Sequence, residues 1–372
     1  MIAPRSRIPY NHAMTDSLDD AAIYGRLDPH GLRDRIAGLP EQIAEAYAAA
    51  STLELPWGSE RAEDVAVIGM GGSGIGAALL QALAAETEGA VPVTVVRGYR
   101  LPNHVSGRTL VIASSNSGDT EETVAAFREA LKTGATCVAI TSGGKLAELA
   151  RAHGAPVLDV PWKHEPRAAL GWSFASLLPI CARAGLLPDM GSTLAAALDE
   201  MRSYGATLNT DAPERDNAAK QLARRLHGRL PVIVGAEALA PVAYRWRTQI
   251  NENASSWAIA DELPEMDNNA LAGFGLPQRV VPLLHVVLLR QESMHARNRL
   301  RVDGTASELC DSGVSAEIVD VQGESTLAQM LRGILLGDWT SYYLGLLNGV
   351  EPSPVEALGR LKDWLASQPP TG

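Results

Sequence analysis

Two stretches of the chain carry residue types suited to holding a phosphate. Residues 69–76 read Gly69-Met70-Gly71-Gly72-Ser73-Gly74-Ile75-Gly76, directly after an apolar run. Glycines let the backbone approach an anion, and a helix starting there turns its free N–H groups toward it. Gly71, Gly72 and Ser73 are the candidate contacts. Residues 114–123 read Ser114-Ser115-Asn116-Ser117-Gly118-Asp119-Thr120-Glu121-Glu122-Thr123. Here Ser115, Ser117 and Thr120 add hydroxyl donors beside another helix start.

Each stretch has competing readings. Gly69, Gly71 and Gly74 also satisfy G-x-G-x-x-G, a dinucleotide fingerprint that wants an acidic residue about 20 positions on. The sequence has Val95-Val96-Arg97-Gly98 there; an Arg suits a 2′-phosphate, so NADP stays open. A tight turn without a ligand is the third reading. In the second stretch, Asp119 and Glu122 have capping-box spacing and Thr120 suits an N-cap. Capping accounts for one such residue, not for three hydroxyls between 115 and 120. A dinucleotide fold does not predict the second loop, so the pair favours a small phosphorylated ligand.

The elements that position these loops alternate. Short apolar runs at 65–69, 93–96, 109–113, 136–140 and 156–160 read as strands buried on both faces. Helical patterns fall between them, at 74–85 and 120–132, which implies a parallel sheet with helices on both faces. Before them, Leu32, Ile36, Leu39, Ile43 and Ala46 mark one helix that Asp28 can cap, and residues 1–20 look frayed. After a loop at 162–167 comes a long apolar helix, 168–184, then a Pro/Gly-bearing linker at 187–192 and a helix at 194–204. A second α/β pattern follows from Pro213, with strands at 231–234, 283–289 and 316–321. Its helices lie at 238–251, 295–309, 327–347 and 353–366. Ligands are expected at the carboxyl ends of the strands or between the halves.

Composition bounds the function. With 32 basic against 43 acidic residues among 372, the net charge is −11, which disfavours a general nucleic-acid binder. A phosphate must then be held by backbone dipoles, hydroxyls and a few chosen cations. Cys137, Cys181 and Cys310 lack metal or disulfide spacing and read as buried small hydrophobes. No metal or cofactor is expected. Residues 1–20 lack the apolar region of a signal peptide, and no run is long enough to span a bilayer. We expect a cytoplasmic protein without membrane partners.

The two loops together resemble the SIS (sugar isomerase) domain, whose S-x-S-G-x-T-x-E-T loop clamps the phosphate of a phosphosugar. Ser115, Ser117 and Thr120 match it residue by residue. Moving a carbonyl between C1 and C2 of such a substrate needs a general base and a cation near the enediolate oxygens. Arg245-Trp246-Arg247-Thr248-Gln249-Ile250-Asn251-Glu252-Asn253-Ala254 places Glu252 at a helix end between two amides, where a solvated carboxylate is the plainer reading. Glu262-Leu263-Pro264-Glu265-Met266-Asp267-Asn268-Asn269 adds a polar turn with three more carboxylates.

These stretches, with Pro166-Arg167-Ala168-Ala169-Leu170-Gly171 and Gly349-Val350-Glu351-Pro352-Ser353-Pro354-Val355, resemble the bifunctional phosphoglucose/phosphomannose isomerase family, a branch with two SIS domains. The resemblance spans residues 18–365. It implies an N-terminal arm over 1–55, a first SIS domain over 56–190 and a second over 191–372 with its C-terminal helix. It makes Glu252 the proton-transfer base, Arg167 the enediolate partner and Lys362 a helper near the ring oxygen. It also implies a homodimer with sites at the subunit interface. One position departs: the family's E-L-P-E-x-N-H-N supplies a ring-opening His, and Asn268 stands there. An amide cannot shuttle protons near pH 7 as imidazole does. Asp267 and His295 are the candidate substitutes, whereas His285, inside an apolar strand, reads as a core residue. Asn116 and Ser353 replace the family's Tyr and Thr. Two functions follow: an aldose–ketose isomerase acting on glucose 6-phosphate, mannose 6-phosphate or an already open sugar, or a non-catalytic phosphosugar-binding sensor.

Overall fold

Both sheets are wholly parallel, as the alternating pattern requires. The computed structural model describes residues 17–56 and 62–368. The chain opens with α1 (Ala21–Leu27), α2 (Leu32–Ala37) and α3 (Leu39–Ser51). The first sheet follows: β1 (Asp64–Ile68), α4 (Gly71–Ala85), β2 (Val93–Val96), β3 (Thr109–Ser114), α5 (Glu121–Ala130), β4 (Thr136–Thr141), α6 (Gly144–Ala152) and β5 (Val157–Asp159). Its strand order is β2-β1-β3-β4-β5. A 3-10 turn (Pro166–Ala168), a π-helical stretch (Gly171–Ala175) and α7 (Leu177–Arg183) lead to α8 (Gly191–Leu208) and α9 (Ala218–Leu226).

The second sheet comprises β6 (Leu230–Ala236), a 3-10 turn (Glu237–Leu239), α10 (Ala240–Asn253), β7 (Ile259–Leu263), α11 (Glu265–Asn269), β8 (Leu284–Gln291), α12 (Ala296–Asp311) and β9 (Ser315–Val321). Its order is β7-β6-β8-β9. The helices α13 (Thr326–Leu347) and α14 (Glu356–Ala366) close the chain.

The strands split their side chains between two cores. Val65 and Val67 of β1 join a large cluster that also holds Ile233 of β6, Val287 of β8 and most of α13. Ala66 and Ile68 point into a smaller cluster on the other face of the first sheet. Apolar burial on both faces of β1 explains why its sequence is a continuous apolar run. The shared cluster welds the inner faces of the two sheets together through α3, α10 and α13.

Several expectations need correction. Residues 17–20 are ordered: Leu18 is buried, and the Asp20 side chain caps α1 by accepting the Ala22 N–H at 3.0 Å. Residues 1–16 lie outside the described residues. The single helix expected through Leu32 and Ala46 is two, separated at Gly38, with Pro40 in the first turn of α3. Asp28 does accept the Leu32 and Arg33 N–H groups at 2.7 and 3.1 Å. The helix expected over 168–184 is interrupted by the π-helical stretch. Strand β7 and helices α1, α6 and α9 were not anticipated; β7, with Asp261 and Glu262 exposed on a sheet edge, has none of the apolar pattern of a buried strand. Cys310 is exposed, while Cys137 and Cys181 are buried.

Candidate active site

The first loop is shaped by contact with the Pro166–Ala168 turn. A side chain on Gly72 would put its Cβ 2.5 Å from the Pro166 carbonyl oxygen and 3.0 Å from Arg167 Cα, so only glycine fits there. The Ser173 hydroxyl donates to the Gly72 carbonyl at 2.9 Å and fixes the contact. Helix α4 starts at Gly71, three residues earlier than the pattern implied. Ser73 is buried, and its N–H and that of Gly74 donate to the Met70 carbonyl at 3.0 and 3.1 Å. The Gly71 and Gly72 N–H groups lie in the first turn, where a helix has no internal acceptor.

The second loop is held by its own hydroxyls. Ser115, buried, has its Oγ 2.9 Å from Thr120 Oγ1 and accepts the Gly118 N–H at 3.1 Å. Ser117 is exposed and accepts the Asp119 N–H at 3.3 Å. Thr120 occupies the N-cap position of α5 but makes no capping bond. Asp119 is turned away to accept the Lys145 N–H at 3.1 Å. The capping-box reading therefore fails, and the first turn of α5 keeps its N–H groups without a side-chain cap. Glu121 and Glu122 of that turn stand near Tyr99, whose phenol is pushed up by their negative charge. Ser73, Ser114, Asn116 and Pro166 line one small cavity, so the two loops meet over the Pro166–Ala168 turn.

That turn delivers Arg167, which is 6% exposed. Its Nε donates to Asn253 Oδ1 at 2.7 Å, and Nη2 donates to the Pro352 and Ser353 carbonyls at 2.7 and 2.8 Å. Its Nη1 stands 3.4 Å from Glu252 Oε2. Glu252, in the last turn of α10, remains 28% exposed at its side chain and so is open to a ligand. Burial pushes its carboxyl above the usual carboxylate range, against the pull of Arg167 and Arg245. A carboxylate with raised proton affinity beside a guanidinium can take a proton from carbon while the cation faces the developing oxyanion.

A bifunctional phosphoglucose/phosphomannose isomerase from Caldicellulosiruptor bescii is 37% identical over 90% of this chain and 98% of its own length. The chain belongs to the bifunctional phosphoglucose/phosphomannose isomerase family. A model of the bacterial phospho-glucose isomerase C-terminal SIS domain matches residues 215–365. A D-glucosamine-6-phosphate 4-epimerase from Sulfolobus acidocaldarius is 31% identical over 62% of this chain and 70% of its own. The fold is shared with the crystal structure of a hypothetical protein from Thermus thermophilus, with TM-score 0.69 and 19% identity over 93% of each chain.

Within this phosphoglucose/phosphomannose isomerase fold, the remaining candidates separate. Asn268 is exposed on α11, and no hydrogen bond or ion pair among the described residues joins α11 to Arg167 or Glu252. Asp267 is committed elsewhere, to Arg301 at 3.0 Å and Thr305 at 2.7 Å. His295 is the N-cap of α12, its Nδ1 accepting the Arg297 N–H at 3.2 Å. Both proposed stand-ins for the missing imidazole therefore have structural work. His285 is buried between Ser315 and Glu317 at 2.9 and 2.7 Å, the core role expected of it. Lys362 falls within α14, and its side chain lies outside the described residues.

Sequence reasoning missed the support beneath the site. Arg245 and Asp338, both 2% exposed, form a bidentate pair at 3.0 and 2.7 Å. Asn253, a flanking amide by sequence, bonds both Arg167 and the Ser341 hydroxyl, the latter at 2.9 Å. The available signal was Asp338 itself, the single charged residue between Gly333 and Leu347 in an apolar helix. Such a residue is rarely buried unless paired.

Proposed function

We propose that the protein interconverts fructose 6-phosphate with glucose 6-phosphate and mannose 6-phosphate by proton transfer through an enediolate. The observation that carries this reading is the Arg167–Glu252 pair, 3.4 Å apart, beside the glycine loop that packs on the Arg167 turn. Gly71, Gly72, Ser73, Ser115, Ser117 and Thr120 hold the phosphate. Glu252 removes the proton from C1 or C2 and returns it to the neighbouring carbon. Arg167 stabilises the enediolate oxygens, and Lys362 serves the ring oxygen. No metal or redox cofactor enters the proton transfer.

The unit we infer is a cytoplasmic homodimer in which position 268 of one copy reaches the site of the other. Its support is the exposed placement of α11 and of two apolar side chains on the flanking chain: Trp257, before edge strand β7, is 78% exposed and Leu276 72%. Apolar surface of this kind next to an open sheet edge favours association. Among the described residues, no helix is long and apolar enough to cross a membrane.

A coupled assay with chelator present, run in both directions from fructose 6-phosphate, tests the reaction. Turnover of both aldose phosphates is the expected result. Silence on both, with fructose 6-phosphate still raising the melting temperature, would replace the isomerase by the sensor. Because Asn268 offers no proton, Asn268→His is expected to raise kcat on cyclic substrate about tenfold. Turnover of open-chain substrate changes less; an unchanged ratio of the two removes the ring-opening explanation.

A further inference from the structure

Arg167 is gripped at both ends by one residue it never touches. At its backbone end, the Arg167 carbonyl accepts from both Nη1 and Nη2 of Arg245 at 3.3 and 3.2 Å. Arg245 in turn is fixed by the Asp338 carboxylate, which also accepts from Gln249 Nε2 at 3.1 Å. At its side-chain end, Arg167 Nε donates to Asn253 Oδ1. Asn253 Nδ2 donates to Ser341 Oγ, and Ser341 Oγ donates to the Asp338 carbonyl at 2.8 Å. The ring closes on Asp338 by two routes, through its side chain and through its backbone.

Helix geometry makes this possible. Arg245, Gln249 and Asn253 recur every four residues and lie along one face of α10, toward α13. Glu252 is next to Asn253 but on the adjoining face, where its side chain stays partly exposed. Any rotation of α10 about its axis would move Glu252 and break the ring together.

Stability does not account for the ion pair. Burying two charges costs desolvation that their attraction seldom exceeds, and apolar replacements of similar volume are often neutral or stabilising. We propose that Asp338 is a positioning residue for the reaction: through Arg245 and Ser341 it fixes Arg167 and the end of α10, and so aims the Glu252–Arg167 pair. This rests on the isomerase reading above.

The double variant Arg245→Met with Asp338→Leu tests it, since it trades the ion pair for apolar packing. The expected outcome is a folded protein whose melting temperature falls no further than the unpaired Gln249 amide and Arg167 carbonyl require, a KM for fructose 6-phosphate within about threefold, and kcat lower by about 10–100-fold. The phosphate loops keep their own ties, Ser173 to the Gly72 carbonyl and Ser115 to Thr120, which the double variant leaves intact, so KM is spared. A kcat within twofold of wild type in a folded double variant overturns the proposal. Should that protein fail to fold, Ser341→Ala decides: it leaves the ion pair intact and removes only one link. There kcat is expected to fall about threefold or more at constant KM, and an unchanged kcat overturns the proposal. A wild-type protein without isomerase activity would instead overturn the functional reading.

Discussion

The two sheets share a plan, but the helix starts beside them are treated in opposite ways. In each sheet the chain reverses its direction of winding at the central pair, β1/β3 in one and β6/β8 in the other. Ligands of open parallel sheets bind in the crevice at that point. In the first sheet the crevice is edged by glycines and hydroxyls, and neither α4 nor α5 has a side-chain cap. In the second, the chain's own carboxylates fill the equivalent places. Glu86 accepts the Ala238 N–H at 2.9 Å at the turn before α10. Glu237 accepts the His295 N–H at 3.0 Å and the Asn298 amide at 2.5 Å at the start of α12.

The difference suits an acidic protein that is proposed to hold its anion at one place. Helix starts attract negative charge wherever they are left open. Here one set has no side-chain cap and the other meets internal carboxylates. The second half contributes to the site from the opposite end of α10, where Glu252 sits among negative carbonyl ends. On the proposed reading, phosphate binding falls to the loops of the first sheet and proton transfer to Glu252 at the end of α10.

The largest expected effect probes that division. Glu252→Gln is expected to lower kcat by about a thousandfold or more while fructose 6-phosphate binding is kept. The melting temperature at pH 7 should equal or exceed that of wild type. Burial raises the Glu252 carboxyl, so the folded state binds its proton more tightly than the unfolded chain does. Holding it ionised therefore lowers stability as pH rises through the usual carboxylate range, and Gln removes that penalty. The wild-type rate, conversely, falls as pH drops through the raised value. Calorimetry showing lost binding in this variant would break the division between the halves.

Much of this division was legible in the sequence, for a physical reason. The loops proposed to bind phosphate use residues close together in the chain, so Gly71, Gly72, Ser115 and Thr120 announce themselves by spacing. Strands buried on both faces, such as β1 and β3, announce themselves by continuous apolar runs. The polar ring under Arg167 draws on positions 167, 245, 253, 338 and 341, which only folding brings together. Glu237 and Glu86 were equally silent, because a carboxylate capping a distant helix looks like any solvated one. Edge strand β7 escaped because only one of its residues, Leu263, is buried.

The next effect comes from making the first crevice resemble the second. Gly71 has φ +51° with no atom within 4 Å of an added Cβ, and Glu237 has φ +53°. Gly71→Glu thus places a carboxylate where the chain already tolerates one in the other half, at about 1–2 kcal/mol of backbone strain. The added charge should compete with the phosphate, raising KM for fructose 6-phosphate about a hundredfold with kcat much less affected. Steady-state kinetics showing an unchanged KM would mean that the phosphate does not lie against α4.

The smallest effect runs the other way. Glu237→Gly removes the internal anion from the start of α12 and relieves the positive φ in the same step. Loss of the Glu237 contacts to His295 and Asn298 is expected to lower stability by about 1 kcal/mol, a shift of about one degree in a protein of this size. Inorganic phosphate should then stabilise the variant more than wild type, because the vacated His295 N–H at the start of a 16-residue helix can donate to an external anion. Turnover of fructose 6-phosphate should stay within twofold, since Glu237 bonds neither Glu252 nor Arg167. Equal phosphate-induced shifts in the two proteins would show that the second crevice is closed by its shape. In that case the contrast between the halves would rest on packing around Leu239 and Gly235, where a Cβ would come within 2.3 Å of a carbonyl, and not on the placement of charge.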